Sequence, residues 1–321
     1  MGRSLDVPSL VASAREGAPR AVARLISLVE DGHPTLREIM AALTPYAGHA
    51  HVIGVTGSPG VGKSTSTNAL VGAFRAREAR VGVLAVDPSS PFSGGALLGD
   101  RVRMSDHSLD PHVYIRSMAS RGHLGGLSWT TPQAIRVLDA AGCDVILVET
   151  VGVGQSEVEI AGLADTTLVL LAPGMGDGIQ AAKAGILEIG DVFVVNKADR
   201  EGADATVRDI RHMVSLGDRT QPHLWRPPVL KTVAASGEGV REVLEAIDAH
   251  LGWMTDHGVL RDRRVKRAGD EIEALAVSTL RRRMGNLRDE HGIDGLAGRV
   301  VDGTLDPYAA ADDVLASLAA R

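Results

Sequence analysis

Only one of the 321 residues is a cysteine, Cys143, which excludes an internal disulfide framework and any metal site built from cysteines alone. A reducing cytoplasm is the simplest home for such a chain. No apolar run approaches the ~18 residues that a membrane-spanning helix requires, and the opening stretch MGRSLDVPSL lacks the apolar centre of an export signal. The expectation is a soluble, unexported protein with no membrane partner. Positive charge is not in excess either. Lys and Arg total 34 against 40 Asp and Glu, a net charge of −6, opposite to the field that non-specific nucleic-acid binding needs. Nucleic acid is therefore not an expected partner. Tandem repeats and low-complexity tracts are absent. What remains, with 44% hydrophobic and 23% charged residues, suits one nucleotide-sized globular domain with helical additions.

Before residue 50 the pattern is helical. Val22, Leu25, Ile26 and Val29 recur at helical spacing after Pro19, and a second short helix is expected from Leu36 to Leu43. Six short apolar runs follow: His51 to Thr56, Val81 to Val86, Val145 to Val148, Thr167 to Leu171, Val192 to Val195 and Val229 to Val233. Each is followed by Gly, Pro, Asp or Asn and then by a helix-like stretch. Continuous apolar runs alternating with helices predict an α/β fold with a doubly wound, mainly parallel sheet. Such sheets bind ligands beyond the carboxyl ends of their strands. After Trp253 a charged stretch leads into Val265, Ala268, Ile272, Leu275 and Thr279 at alternating three and four spacing, a helix with a narrow apolar seam. This helix reads equally as one packed on its own domain or as an arm pairing with a second copy in a homodimer. A last helix is expected from Pro307, capped by Asp306. The division expected is 1–48 as an N-terminal helical extension, 49–254 as the nucleotide domain and 255–321 as a helical arm.

The strongest motif is Gly57-Ser58-Pro59-Gly60-Val61-Gly62-Lys63-Ser64, followed by Thr65, which fits the G-x-x-x-x-G-K-[ST] phosphate-binding loop and lies between a strand and a helix. Its glycines let backbone N–H groups turn inward around phosphates, Lys63 adds charge at the β and γ phosphates, and Ser64 offers a hydroxyl to Mg2+. Next, Asn196-Lys197-Ala198-Asp199 follows the strand ending at Val195. A carboxylate there accepts two hydrogen bonds from guanine, whereas adenine has no 2-amino donor and leaves the acid unpaired. GTP and GDP are the expected nucleotides. The stretch Thr232-Val233-Ala234-Ala235-Ser236-Gly237 is a candidate to present N–H groups to the base. Glu149 ends another apolar run and opens Glu149-Thr150-Val151-Gly152-Val153; its acid suits Mg2+, and Gly152 leaves room for an N–H at the γ phosphate. Val153 stands where common small GTPases carry the glutamine that orients water, so slow intrinsic hydrolysis is expected. Asp87 and Asp100 read either as caps or surface charges or as metal-site residues. The strand-end position of Asp87 favours the metal site.

Together these residues resemble the MeaB and ArgK group of P-loop GTPases, which includes the MMAA protein of the cobalamin pathway. The resemblance runs over roughly residues 50 to 250 through GSPGVGKST, DPSSPFSGGALLGDRVRM, SRGHLGG, ETVGVGQSE, PGMGDGIQ and NKAD. It implies a GTP-hydrolysing chaperone of an adenosylcobalamin-dependent acyl-CoA mutase, usually methylmalonyl-CoA mutase, that gates cofactor loading and protects the mutase. It implies that Ser64, Asp87, Asp100 and Glu149 surround the metal, and that a loop around Asp177 and Lys183 acts as a switch towards the mutase. Cobalamin itself would belong to another polypeptide, because the ligating pattern D-x-H-x-x-G is absent: Asp289-Glu290-His291 continues as Gly292-Ile293-Asp294. Two other readings remain. An ATPase or kinase serving basic amino-acid transport is disfavoured by the Asn196 to Asp199 box, and a nickel-type metallochaperone by the absence of a histidine paired with Cys143. A GTP-binding module without a mutase partner is a further alternative.

Overall fold

The six apolar runs all become strands, and a seventh joins them. A computed structural model describes residues 5–88, 107, 109–120, 130–150, 156–174, 186–215, 224–285 and 293–319. The strands are β1 His51–Thr56, β2 Val81–Pro88, β3 Val113–Ser120, β4 Val145–Thr150, β5 Thr166–Leu171, β6 Val192–Val195 and β7 Val229–Lys231. They form one sheet in the order β3-β2-β4-β1-β5-β6-β7, with every pair parallel. The described helices are α1 Val7–Arg15, α2 Pro19–Glu30, α3 Leu36–Leu43, α4 Lys63–Arg75, α5 Thr131–Ala140, α6 Ser156–Leu163, α7 Ile186–Ile189, α8 Ala203–Ser215, α9 Val240–Asp256, α10 Val259–Gly285, α11 Ile293–Val301 and α12 Pro307–Ala319.

A parallel sheet must be covered on both faces, which is why β1, β4, β5 and β6 are buried along their whole length. On one face, Leu25, Ile26, Ile39 and Leu43 of α2 and α3 join Val52, Leu84 and Ile146 of the sheet. On the other, Val71 and Phe74 of α4 and Val243 and Ile247 of α9 join Ile53, Val83 and Leu147. The strand that the apolar pattern missed is β3, at the sheet edge. Its sequence is interrupted by Arg116, whose guanidinium pairs with Glu30 and donates to the Ser27 hydroxyl at 3.2 Å. Helix α1 was also illegible by periodicity; Asp6 caps it by accepting from Ser9 N at 3.1 Å.

The chain divides into two units, Met1–Arg264 and Val265–Arg321. The first contains the sheet and its covering helices. The second contains the rest of α10 with α11 and α12, and there Val265, Ile272 and Leu280 are exposed at 60%, 68% and 52%. Asp306 caps α12 as expected, its carboxylate accepting from Tyr308 N at 2.9 Å and Ala309 N at 3.1 Å.

Candidate functional site

Because the strands are all parallel, the carboxyl ends of β1, β4, β5 and β6 lie along one edge of the sheet. Gly57 leaves β1 with φ +141, and a Cβ there would lie 2.2 Å from the Leu170 carbonyl oxygen on β5, so only glycine fits. The loop then turns into α4, whose first residue is Lys63. This lysine is 8% exposed and folds over its own loop, donating to Gly57 O at 2.6 Å and Ser58 O at 3.2 Å. Its ammonium thus lies among the carbonyls of the loop that a phosphate would approach.

The register of β1 against β4 sets Val55 opposite Glu149 and brings that acid beside the loop. The Ser64 hydroxyl donates to Glu149 Oε1 at 2.7 Å, and Glu149 is 3% exposed. One residue further on, the Thr150 hydroxyl donates to Thr56 Oγ1 at 3.3 Å. A hydroxyl and a carboxylate in contact are hard oxygen donors of the kind Mg2+ takes, so this pair fits the ion. Of the other expected metal-site residues, Asp87 lies at the end of β2, its backbone opposite Ala119, with its side chain outside the described residues. Asp100, Gly152, Asp177 and Lys183 also lie outside the described residues.

Asn196 joins three segments. Its Nδ2 donates to Val61 O in the phosphate loop at 2.9 Å, and its Oδ1 accepts from Ala234 N at 3.0 Å and from the Thr232 hydroxyl at 3.2 Å. Lys197 takes the left-handed conformation, φ +57, and donates through Nζ to Gly60 O at 2.6 Å. Ala198 N donates to Thr232 O at 3.0 Å, leaving Asp199 exposed at the same edge. Val233 pairs with Glu238 and is half-buried, while Ala235 is exposed beside the buried Ala234. Thr232 is the positioning group that motif reading did not isolate: its hydroxyl fixes which way the Asn196 amide points. Its signal in the sequence is only a threonine near the end of the run Val229 to Val233.

Cys143 is 3% exposed, and burial pushes its thiol up to about 12, the behaviour of an inert core residue. Among the described residues no group of three or more His, Cys, Asp or Glu side chains is placed to hold a metal ion. Nor is any helix among them long and apolar enough to cross a membrane.

A phosphate loop, an acid touching its serine and an asparagine tied to both nucleotide-facing loops agree with a family comparison. The family model of the methylmalonyl Co-A mutase-associated GTPase MeaB matches residues 22–288. The chain belongs to the MeaB family. It is a P-loop GTPase, as the resemblance implied. PH0274 of Pyrococcus horikoshii, itself named as a GTPase, is 45% identical over 98% of this chain and 99% of its own length. The mitochondrial methylmalonic aciduria type A homolog of Mus musculus is 36% identical over 78% of this chain and 64% of its own. Among solved structures, that of a LAO/AO transport system kinase is similar with a TM-score of 0.73 over 99% of both chains. At 24% identity this last likeness is one of fold.

Proposed function

We propose that this MeaB-family GTPase is a chaperone of an adenosylcobalamin-dependent acyl-CoA mutase, most simply methylmalonyl-CoA mutase, and that its nucleotide state gates cofactor loading and protects the mutase. The family's description as mutase-associated carries the partner. The asparagine that ties the guanine box to the phosphate loop carries the nucleotide. In this reading residues 57–65 bind the phosphates of GTP or GDP, and Asn196, Lys197, Asp199 and the loop Val233 to Ala235 bind guanine. Ser64, Asp87, Asp100 and Glu149 surround Mg2+, which when bound neutralises charge on the β and γ phosphates. Lys63 holds the γ phosphate, Gly152 offers it an N–H, and Asp177 and Lys183 couple nucleotide state to the mutase. The protein works in the cytoplasm as a homodimer, and the exposed Val265, Ile272 and Leu280 of the second unit support the arm as the pairing element. The test is a pull-down of a cobalamin mutase from soluble extract with GDP and with a non-hydrolysable GTP analogue, followed by GTP turnover with and without the purified mutase. Nucleotide-dependent capture and faster turnover are expected. Capture of no mutase in either state, or turnover indifferent to it, overturns the partner assignment.

A further inference from the structure

At the sheet edge opposite the nucleotide motifs, four elements bury a chain of polar side chains that GTP hydrolysis does not use. His51 opens β1, Thr166 opens β5, Asp191 precedes β6 and His250 lies on α9, with exposures of 6%, 0%, 6% and 0%. His51 Nε2 and Thr166 Oγ1 are 2.8 Å apart, and Thr166 Oγ1 and His250 Nδ1 are also 2.8 Å apart. His250 Nε2 lies 3.3 Å from Asp191 Oδ1. Asp191 is also gripped by Arg263, in the first turns of α10, which donates from Nη1 to Oδ2 at 2.9 Å and from Nη2 to Oδ1 at 2.8 Å.

One hydroxyl between two imidazoles has a single proton to give, so it sets a direction. A neutral His250 carries its proton on Nε2, because a bare nitrogen there would face the Asp191 oxygens. Its Nδ1 then accepts from the Thr166 hydroxyl, and the Thr166 oxygen accepts from His51 Nε2–H. A proton added to His250 enters at Nδ1, which becomes a donor to Thr166. The hydroxyl must then turn and donate to His51 Nε2, which requires the His51 proton to reside on Nδ1. Both arrangements satisfy every group between the rings; they differ by the one proton held on His250. In the second, Asp191 faces an imidazolium as well as the Arg263 guanidinium, and two cations a few ångströms apart in a buried site repel.

We propose that His51, Thr166 and His250 form a proton-operated latch on the first turns of α10: protonation of His250 reverses the relay, switches the His51 tautomer and loosens Arg263 from Asp191. Burial lowers the His51 pKa to about 4, so His51 itself stays neutral in mild acid. The other described charges around the relay are already engaged. Asp165 is held by Arg264 at 2.8 Å, and Asp248 on α9 is paired with Arg77, in the turn after α4, at 2.6 Å. Trp225 and Trp253 pack their rings 4.8 and 6.1 Å from that of His250 and close the site over it.

The experiment is NMR of the full chain with 15N-labelled histidine between about pH 8 and pH 5.5, across the usual histidine range, with amide exchange of residues 259–264 corrected for its intrinsic pH dependence. His51 should pass from the Nε2–H to the Nδ1–H tautomer with the midpoint of proton uptake by His250, while exchange at 259–264 speeds several-fold. Thr166→Val, which removes the hydroxyl and keeps the shape, should leave His250 titrating and the His51 tautomer fixed. If His51 keeps one tautomer in the wild-type protein, switches equally in Thr166→Val, or switches without any change in exchange at 259–264, the latch is overturned. Should Thr166→Val fail to fold, the wild-type titration decides alone.

Discussion

A Cβ on Gly62 would lie 2.5 Å from Asn196 Nδ2, so the loop 57–64 and the segment Asn196 to Asp199 are in contact with no space between them. Gly62 also holds φ +95, a conformation that L side chains rarely adopt. Any side chain there is strained and pushes Asn196 off Val61 O. Gly62→Ala should therefore weaken GDP binding at least about tenfold, or ~1.4 kcal/mol, without loss of the sheet. Titration calorimetry alongside far-ultraviolet circular dichroism checks both halves, and wild-type affinity in the variant would contradict the contact's importance.

The Ser64 and Glu149 pair makes a separate prediction. Glu149→Gln keeps an acceptor for the Ser64 hydroxyl, now 2.7 Å away, but removes the charge. The Mg2+ concentration giving half-maximal GTP turnover should rise about tenfold or more, while GDP binding in chelator changes little. An unaltered Mg2+ midpoint would remove Glu149 from the metal site.

Asp199 is exposed at the strand edge, where nothing but a base would desolvate it. Asp199→Asn exchanges an acceptor for a donor against guanine N1–H, so the preference for GTP over ATP should fall by about a hundredfold or more. Competition titrations on parent and variant measure this directly. Equal affinities for ATP and GTP in the parent would contradict the guanine assignment.

The place where residues 57–64, Glu149 and Asn196 meet was legible because the apolar runs marked the strands that carry them to one edge of the sheet. What was not legible depended on partners distant in sequence. Arg116 breaks the apolar pattern of β3, and only its pairing with Glu30, 86 residues away, makes that strand readable. Arg263 and Arg264 read only as part of a charged stretch, yet both grip aspartates that precede buried strands. Thr232 carries no motif of its own, and its role depends on the fold bringing it to Asn196.

Beneath the phosphate loop, Ser66 is 7% exposed and its hydroxyl has no hydrogen-bond partner among the described residues. It borders a small apolar void with Leu70, Leu168 and Val194. Removing an unsatisfied buried hydroxyl relieves its desolvation cost, so Ser66→Ala should raise stability by about 1 kcal/mol. Urea unfolding of nucleotide-free protein measures it, and a loss of stability would show that the hydroxyl is satisfied in solution.

Stability should fall in mild acid, and the sign follows from His51. Burial lowers its pKa from 6.5 to about 4, against the opposing pull of Asp165, so the folded protein holds His51 neutral where the unfolded chain already binds a proton. The contribution is fully present above the unfolded value of 6.5 and is lost progressively as pH falls towards about 4. Over the whole window the loss approaches ~3 kcal/mol, because each tenfold difference in proton affinity between the folded and unfolded chain is worth about 1.4 kcal/mol. Asp191 acts lower down: burial works to raise its pKa, but His250 and Arg263 together hold it below the usual carboxylate value, so its contribution is lost only in stronger acid. Urea unfolding at about pH 7, 5.5 and 4.5 should show the wild-type free energy declining across the histidine window. His51→Gln, less stable at neutral pH through loss of its contact with Thr166, should decline less steeply over the same range. A wild-type protein with no decline there, or a variant with the same slope, would mean that His51 is not the group whose charging destabilises the fold.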